Sequence, residues 1–220
     1  MKWPAIVASM IAALIIPAVV TVYKIKYPTY AYRYRMTVTV EVGGEMRSGS
    51  SVIEVLVSKQ PQFLPEVRRL DQSVRGQAVF VELPGGKNIV ALLASGSTAE
   101  NSGFANQVVP QHFRLILDDR TLARLPELRG HWELAIDKMP TLVTVTNPND
   151  AATVQVVRPD QLDEQLGVHL RSIAIDMTTD PITSPDIEAK LPFLLKETDK
   201  RSELHYPNVF ILNYTYFVRD

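Results

Sequence analysis

Four histidines, one Ser/Gly-rich stretch and a scatter of carboxylates are the side chains of this chain that could do chemistry. His112, His131, His169 and His205 never fall three or four residues from one another, so no helix can offer two imidazoles to one zinc ion. A metal site would have to be assembled from distant strands, for example His112 with Asp118 or Asp119. Isolated histidines are more often surface or satisfied core residues. Residues 95–103 (SGSTAENSG) have the composition of a phosphate or nucleophile loop. They lack both the strand–Gly-x-Ser-x-Gly–helix setting of a hydrolase elbow and the Gly-Lys-Ser/Thr ending of a P-loop, so they read as a surface loop. Asp118 and Asp119 are adjacent and point to opposite faces of an extended chain, which predicts a polar turn with Asp119 or Thr121 capping the next helix. Asp137, Asp176 and Asp180 sit where turn carboxylates are common. The chain has no cysteine, which excludes disulfides, thiolate metal sites, iron–sulfur clusters and thiol nucleophiles. The expectation is therefore no catalytic residue, no cofactor and no metal.

The elements that would carry these residues are mostly strands. Tyr30, Tyr32, Tyr34, Met36, Val38, Val40 and Val42 alternate with Ala31, Arg33, Arg35, Thr37, Thr39 and Glu41, which predicts a half-buried strand with the tyrosines inward. Arg33 and Arg35 would then face water or lipid head groups. Basic and aromatic residues interleave here as in single-strand nucleic-acid sites, yet 23 Lys+Arg against 24 Asp+Glu leaves no field to attract a polyanion. No nucleic-acid partner is expected.

Gly43-Gly44 predicts a hairpin with a return strand over 50–58. A weak helix is expected after Pro65, and a second hairpin over 77–83 and 88–94. A long loop spans 95–110, and a short strand 113–117. A helix follows over 121–128, then strands over 132–136, 142–146 and 153–157. Asp160 caps a helix that Gly167 ends. Residues 168–177 alternate, with His169, Arg171, Ile173 and Ile175 on one face. Ser184-Pro185 opens a helix to Leu191, and 209–218 close the chain as one strand. The expected class is α+β and strand-dominated, with about nine strands and few short helices.

Residues 3–23 carry no charge, and at about 1.5 Å per residue they span the roughly 30 Å of a bilayer's hydrocarbon core. Lys2 gives the basic start of a signal peptide, but the apolar run is too long for one. No Ala-x-Ala follows the run, and a weak cleavage site at Thr29-Tyr30-Ala31 lies beyond Lys24, Lys26 and Pro28. A retained single-pass anchor is expected over 1–23. A juxtamembrane linker follows over 24–31, then a globular domain over 32–220 with a subdivision point in 95–111. Trp3 at one end and Tyr23, Lys24, Lys26, Tyr27 and Tyr30 at the other would lie at the membrane interface. The positive flank after the helix points the domain to the cytoplasm, whereas the two-residue N-terminal tail is usual for anchors that export it. The periplasmic side is the expectation.

Residues 32–55 (YRYRMTVTVEVGGEMRSGSSVIEV) and 181–195 (PITSPDIEAKLPFLL) resemble tracts of an uncharacterised family of membrane-anchored bacterial proteins. The resemblance implies a bacterial envelope setting and carries no activity, cofactor or catalytic residue. Two function classes follow. One is a non-catalytic inner-membrane protein that binds a protein partner. The other is an enzyme or ligand carrier whose site is assembled from dispersed His, Asp and Arg residues. The inventory above favours the first.

Overall fold

β1 (Thr29–Val42) sits inside a six-stranded antiparallel sheet because both of its edges are paired and its side chains alternate as expected. The computed structural model describes residues 16–17, 20–62, 69–184, 186–196, 203–205 and 211–219. Most of the expected anchor, including Trp3, the helix expected after Pro65 and the start of the closing strand lie outside them. Tyr32, Tyr34, Met36, Val38 and Val40 are buried, and Arg33, Arg35, Thr37 and Thr39 are half-buried on the reverse face. The Gly43-Gly44 turn, both glycines with positive φ, returns the chain as β2 (Glu45–Lys59), longer at its start than the sequence suggests. β3 (Leu70–Gln77) follows, a strand whose polar sequence LDQSVRGQ gives no alternating signal.

The chain then turns at Ala78 into β4 (Val79–Glu82) and crosses to a second sheet with β5 (Asn88–Ser95), β7 (Pro140–Val145) and β8 (Val154–Val157), in the order β4-β5-β7-β8. The first sheet has the order β12-β3-β2-β1-β9-β6, with β6 (His131–Glu133), β9 (Val168–Thr178) and β12 (Val218–Arg219). Ten strands thus form two antiparallel sheets, and β10 (Glu203–His205) pairs with β11 (Ile211–Asn213) in a separate hairpin. The class is α+β and strand-dominated.

The helices are short: α1 (residues 20–26), α2 (Phe104–Phe113), α3 (Asp119–Arg124), α4 (Leu162–Leu166), α5 (Ile187–Lys190) and α6 (Phe193–Lys196). α1 runs through residue 26 and β1 starts at Thr29, so within the expected linker over 24–31 residues 24–26 are helix and 29–31 are strand. Among the described residues no helix is long and apolar enough to cross a membrane.

Two cores result. The first joins Tyr34, Met36, Ile53, Val55, Ile173 and Ile175 of one sheet to Val79, Val81, Ile89, Leu93 and Leu142 of the other, with α2 and α3 closing it. It holds residues from both sides of 95–111. The second core lies on the outer face of the smaller sheet, where Val90, Leu92, Val143 and Val145 meet Ile187, Leu191, Phe193, Leu194 and Phe217. β5 is buried on both faces, which accounts for its unbroken IVALLA run.

The chain reaches that second core by crossing the first sheet. After β9, Asp180 pairs with Arg35 at 2.5 Å, and the Thr183 N–H donates to the Val52 carbonyl at the flank of β2. Gln77 then accepts from the N–H groups of Asp186 and Ile187 at 2.9 and 3.1 Å. α5 therefore begins at Ile187 with a cap from a distant strand, not at Ser184.

Three further expectations are corrected. Residues 104–113 are helix, not loop, and Phe113 ends that helix instead of opening a strand. A register shift in β9 between the partners of Thr39 and Val40 inserts one residue, so Val168 and Leu170 share the inner face with Ile173 and Ile175. His169 and Arg171 are turned out. The closing run is broken, because the Asn213 side chain accepts from the Thr215 N–H at 2.9 Å and starts a 3-10 turn over Tyr214–Tyr216.

The two sheets come into close approach at Gly49, where an added Cβ would sit 2.2 Å from the Phe80 carbonyl oxygen. Backbone lies on the other side, so nothing flexible can yield. Gly49→Ala is expected to lower unfolding free energy by about 1–3 kcal/mol, measured by urea denaturation, without changing the far-ultraviolet spectrum.

Candidate functional site

α2 exists because β1 holds it down. Pro110 lies inside the helix and has no N–H, so the Asn106 carbonyl four residues earlier loses its helical donor. The Tyr32 hydroxyl donates to that carbonyl at 3.2 Å, and the Tyr34 hydroxyl to the Ala105 carbonyl at 2.8 Å. Burial pushes both phenols well above their ordinary range, so both remain protonated donors. Arg219 ties the C-terminal strand to the same region, donating to the Ser102 carbonyl at 2.6 Å.

The preceding loop is folded around its own carboxylate. Glu100 accepts from the Ser97 N–H at 3.1 Å and the Thr98 N–H at 2.7 Å, and from both hydroxyls. Hydrogen bonds from the N–H groups of Glu100 itself, Thr98 and Ser97 and from the Thr98 hydroxyl, acting against desolvation, pull its pKa from 4.5 to about 2. The amides a phosphate would use in 95–103 are therefore already taken by an internal anion.

One wall of a cleft of about 490 Å3 is the α2 stripe Phe104, Gln107, Val108, Gln111 and His112. The other is the stretch from Trp132 to Lys138. Positions 104, 107, 108 and 111 recur at helical spacing, so the same turn of α2 that buries Ala105 and Val109 in the core presents this stripe to the cleft. His112 stacks on Trp132 with centroids 3.9 Å apart and planes 9° from parallel, and Phe113 meets Trp132 edge-on at 5.6 Å. Burial holds His112 below its ordinary pKa, which favours a neutral ring on the indole. Arg114, Glu133, Asp137 and Lys138 ring the cleft, and none of these side chains has a hydrogen-bond or ion-pair partner among the described residues. Several other charges are paired, as in Arg33–Glu54, Arg171–Glu41 and Lys59–Asp119.

β6 forms the rim of this cleft and the edge of its sheet. The Leu134 N–H donates to the Ile173 carbonyl at 2.8 Å and the Gly130 carbonyl accepts from Met177 at 2.9 Å. Residues 130, 132 and 134 thus face β9, which turns the backbone N–H and C=O of His131 and Glu133 outward.

The residues singled out in the sequence do not converge. Asp118 caps α3, accepting from the Thr121 N–H at 2.9 Å and hydroxyl at 2.8 Å, and Asp119 pairs with Lys59, so neither serves His112. The cap is Asp118, not Asp119 or Thr121. His131 pairs with Asp176 at 2.5 Å on the outer face of the sheet, and His169 lies 3.6 Å from Asp163. Asp160 pairs with Arg158 and caps nothing, although Gly167 does end α4 in the left-handed conformation. Among the described residues no group of three or more His, Cys, Asp or Glu side chains could hold a metal ion. Of the interface set, Tyr23 and Tyr27 form a ring pair at 5.0 Å, Lys26 lies over Tyr27, and Tyr30 packs against the first core. Trp132 and Lys138 were not anticipated, because only the fold brings 104–114 beside 132–138. No protein-family model matches the chain, and no curated protein or solved structure does either.

Tyr32→Phe is expected to cost about 1–2 kcal/mol by orphaning the Asn106 carbonyl. In a Pro110→Ala background, where residue 110 regains its N–H, the same change should cost markedly less, read as a double-mutant cycle in urea. Glu100 contributes stability that is fully present above pH 4.5 and lost as pH falls through about 2. Glu100→Gln should therefore lower the melting temperature at pH 7 and leave it unchanged in acid below that value.

Proposed function

We propose that this chain is a membrane-tethered bacterial envelope protein that works without turnover, by binding another protein. The observation that carries the reading is α1. Val20, Val22, Tyr23 and Ile25 are exposed on it, Ile25 at 75%, with no core beneath them, although apolar side chains gain about 25 cal/mol per Å2 by leaving water. This apolar helix continues the uncharged run that begins at Trp3, and a bilayer supplies the missing cover. The Tyr23–Tyr27 pair with Lys24 and Lys26 has the composition of an interfacial belt, and two residues later the chain is inside β1. The anchor is a single pass over 3–23 of the inner membrane, and the β-rich domain lies on the periplasmic side.

The protein-binding half of the reading is supported by an open sheet edge beside an aromatic cleft, a form suited to recognition. Asp118, His131 with Asp176, and Arg35 with Asp180, which could have contributed to a dispersed active site, are instead occupied in a cap and ion pairs.

Membranes washed with alkaline carbonate should retain the full chain. A variant carrying Leu14→Arg and Ile15→Arg should be released, since each cation at a span's centre costs about 2.5–3.5 kcal/mol. A C-terminal reporter active only after export should be active; a signal confined to the cytoplasm overturns the assigned side. Affinity capture in mild detergent should return one co-purifying protein in fixed stoichiometry.

A further inference from the structure

We infer that the cleft between α2 and β6 receives an extended peptide segment of the partner protein, added as a strand to the free edge of β6. This names the site through which the function proposed above would act, and it rests on that reading. Among the described residues, the outward N–H and C=O groups of His131 and Glu133 are an unpaired donor and acceptor set at a sheet edge. Three residues are too few to template aggregation, yet enough for the paired bonds that fix the register of one added strand. An added strand would lie between this edge and α2, and every second side chain would turn toward Trp132, Phe104 and Val108.

The volume, about 490 Å3, lies in the range of sites that enclose a few side chains, and is far too small for a folded element. Arg114 and Lys138 on the one hand, and Glu133 and Asp137 on the other, are single exposed charges that mean little individually. Gathered unpaired around one cleft, they select a segment that carries both a carboxylate and a cation. The His112–Trp132 stack gives the site a flat, rigid wall whose two rings are already ordered, so little side-chain freedom is lost on binding.

Trp132 is one of only two tryptophans, so the full chain with Trp3→Phe in mild detergent reports on this site through its emission. Titration with random heptapeptide pools should give a saturable change with mixed-charge pools and a much weaker one with neutral pools. A peptide selected from the mixed-charge pool should lose at least about tenfold in affinity when its alternate amides are N-methylated. It should lose as much against Glu133→Pro, which removes the outward N–H at an edge position that tolerates proline. Glu133→Gln, which keeps that N–H, should lose less.

The assignment is overturned if no pool responds, or if binding ignores both N-methylation and Glu133→Pro. It is also overturned if free zwitterionic amino acids compete as strongly as the peptide, since the cleft would then be a small-molecule site. A doubling of mass abolished by Glu133→Pro would make a second copy of the chain the occupant and overturn it too. The N-methylation arm decides the matter even if the proline variant fails to fold. Should all peptide arms fail while the chain stays membrane-bound, exported and in complex with a captured protein, the tether and partner reading stands and this site alone falls.

Discussion

β1 is paired with β2 at every one of its fourteen positions and with β9 at ten, and strict alternation divides its side chains between two environments. The inner set packs the shared core and extends two phenols to α2, where Tyr32 satisfies the Asn106 carbonyl that Pro110 would otherwise leave short of a donor and Tyr34 bonds the Ala105 carbonyl beside it. The outer set fixes the segment after β9, through Arg35 on Asp180 and Arg33 on the carbonyls of Thr179 and Asp180. That segment delivers α5 and α6 to the second core. Shifting β1 by one residue would bury the arginines, detach α2 and release the covering of the smaller sheet together. Placement of both cores depends on this one register.

The parts of the fold that follow from local pattern were legible in the sequence. Two-residue alternation marks β1, a pair of glycines marks its turn, and the apolar runs of β4 and β5 flank Pro84-Gly85-Gly86. What could not be read locally was decided by contacts distant in the chain. α2 begins among Ser, Asn and Gly and contains a proline, so its propensity is poor; tyrosines more than seventy residues away make it stable. β3 has the composition of a loop and is a strand because β2 offers it a ladder. The extra residue in β9 is invisible to a period of two, and it exchanges inner and outer faces from Arg171 backward.

The candidate site was harder to read than the fold. His112 could be noticed, but its real neighbour is Trp132, which the chain brings back only after α3 and a turn. The loop with the look of a phosphate site is folded around Glu100, a residue within the very motif. Most polar residues prominent in the sequence serve as caps and ion pairs. Arg114, Glu133, Asp137 and Lys138, the unpaired charges that ring the cleft, carry no distinguishing pattern along the chain, since their gathering there is a property of three-dimensional surroundings.

The junction of α1 with β1 has a mechanical consequence. The N-terminal end of β1 is where the apolar helix enters the sheet, two residues after Tyr27, and β1 lies between two long antiparallel neighbours. Tension between the helix and the body of the domain would run along the axis of β1, across hydrogen bonds that lie perpendicular to it. Those bonds would be loaded in shear and would have to fail together, whereas a strand pulled sideways from an edge peels open one bond at a time. Attached through an interior strand, the domain can bear a steady pull at its N-terminus with its two cores intact.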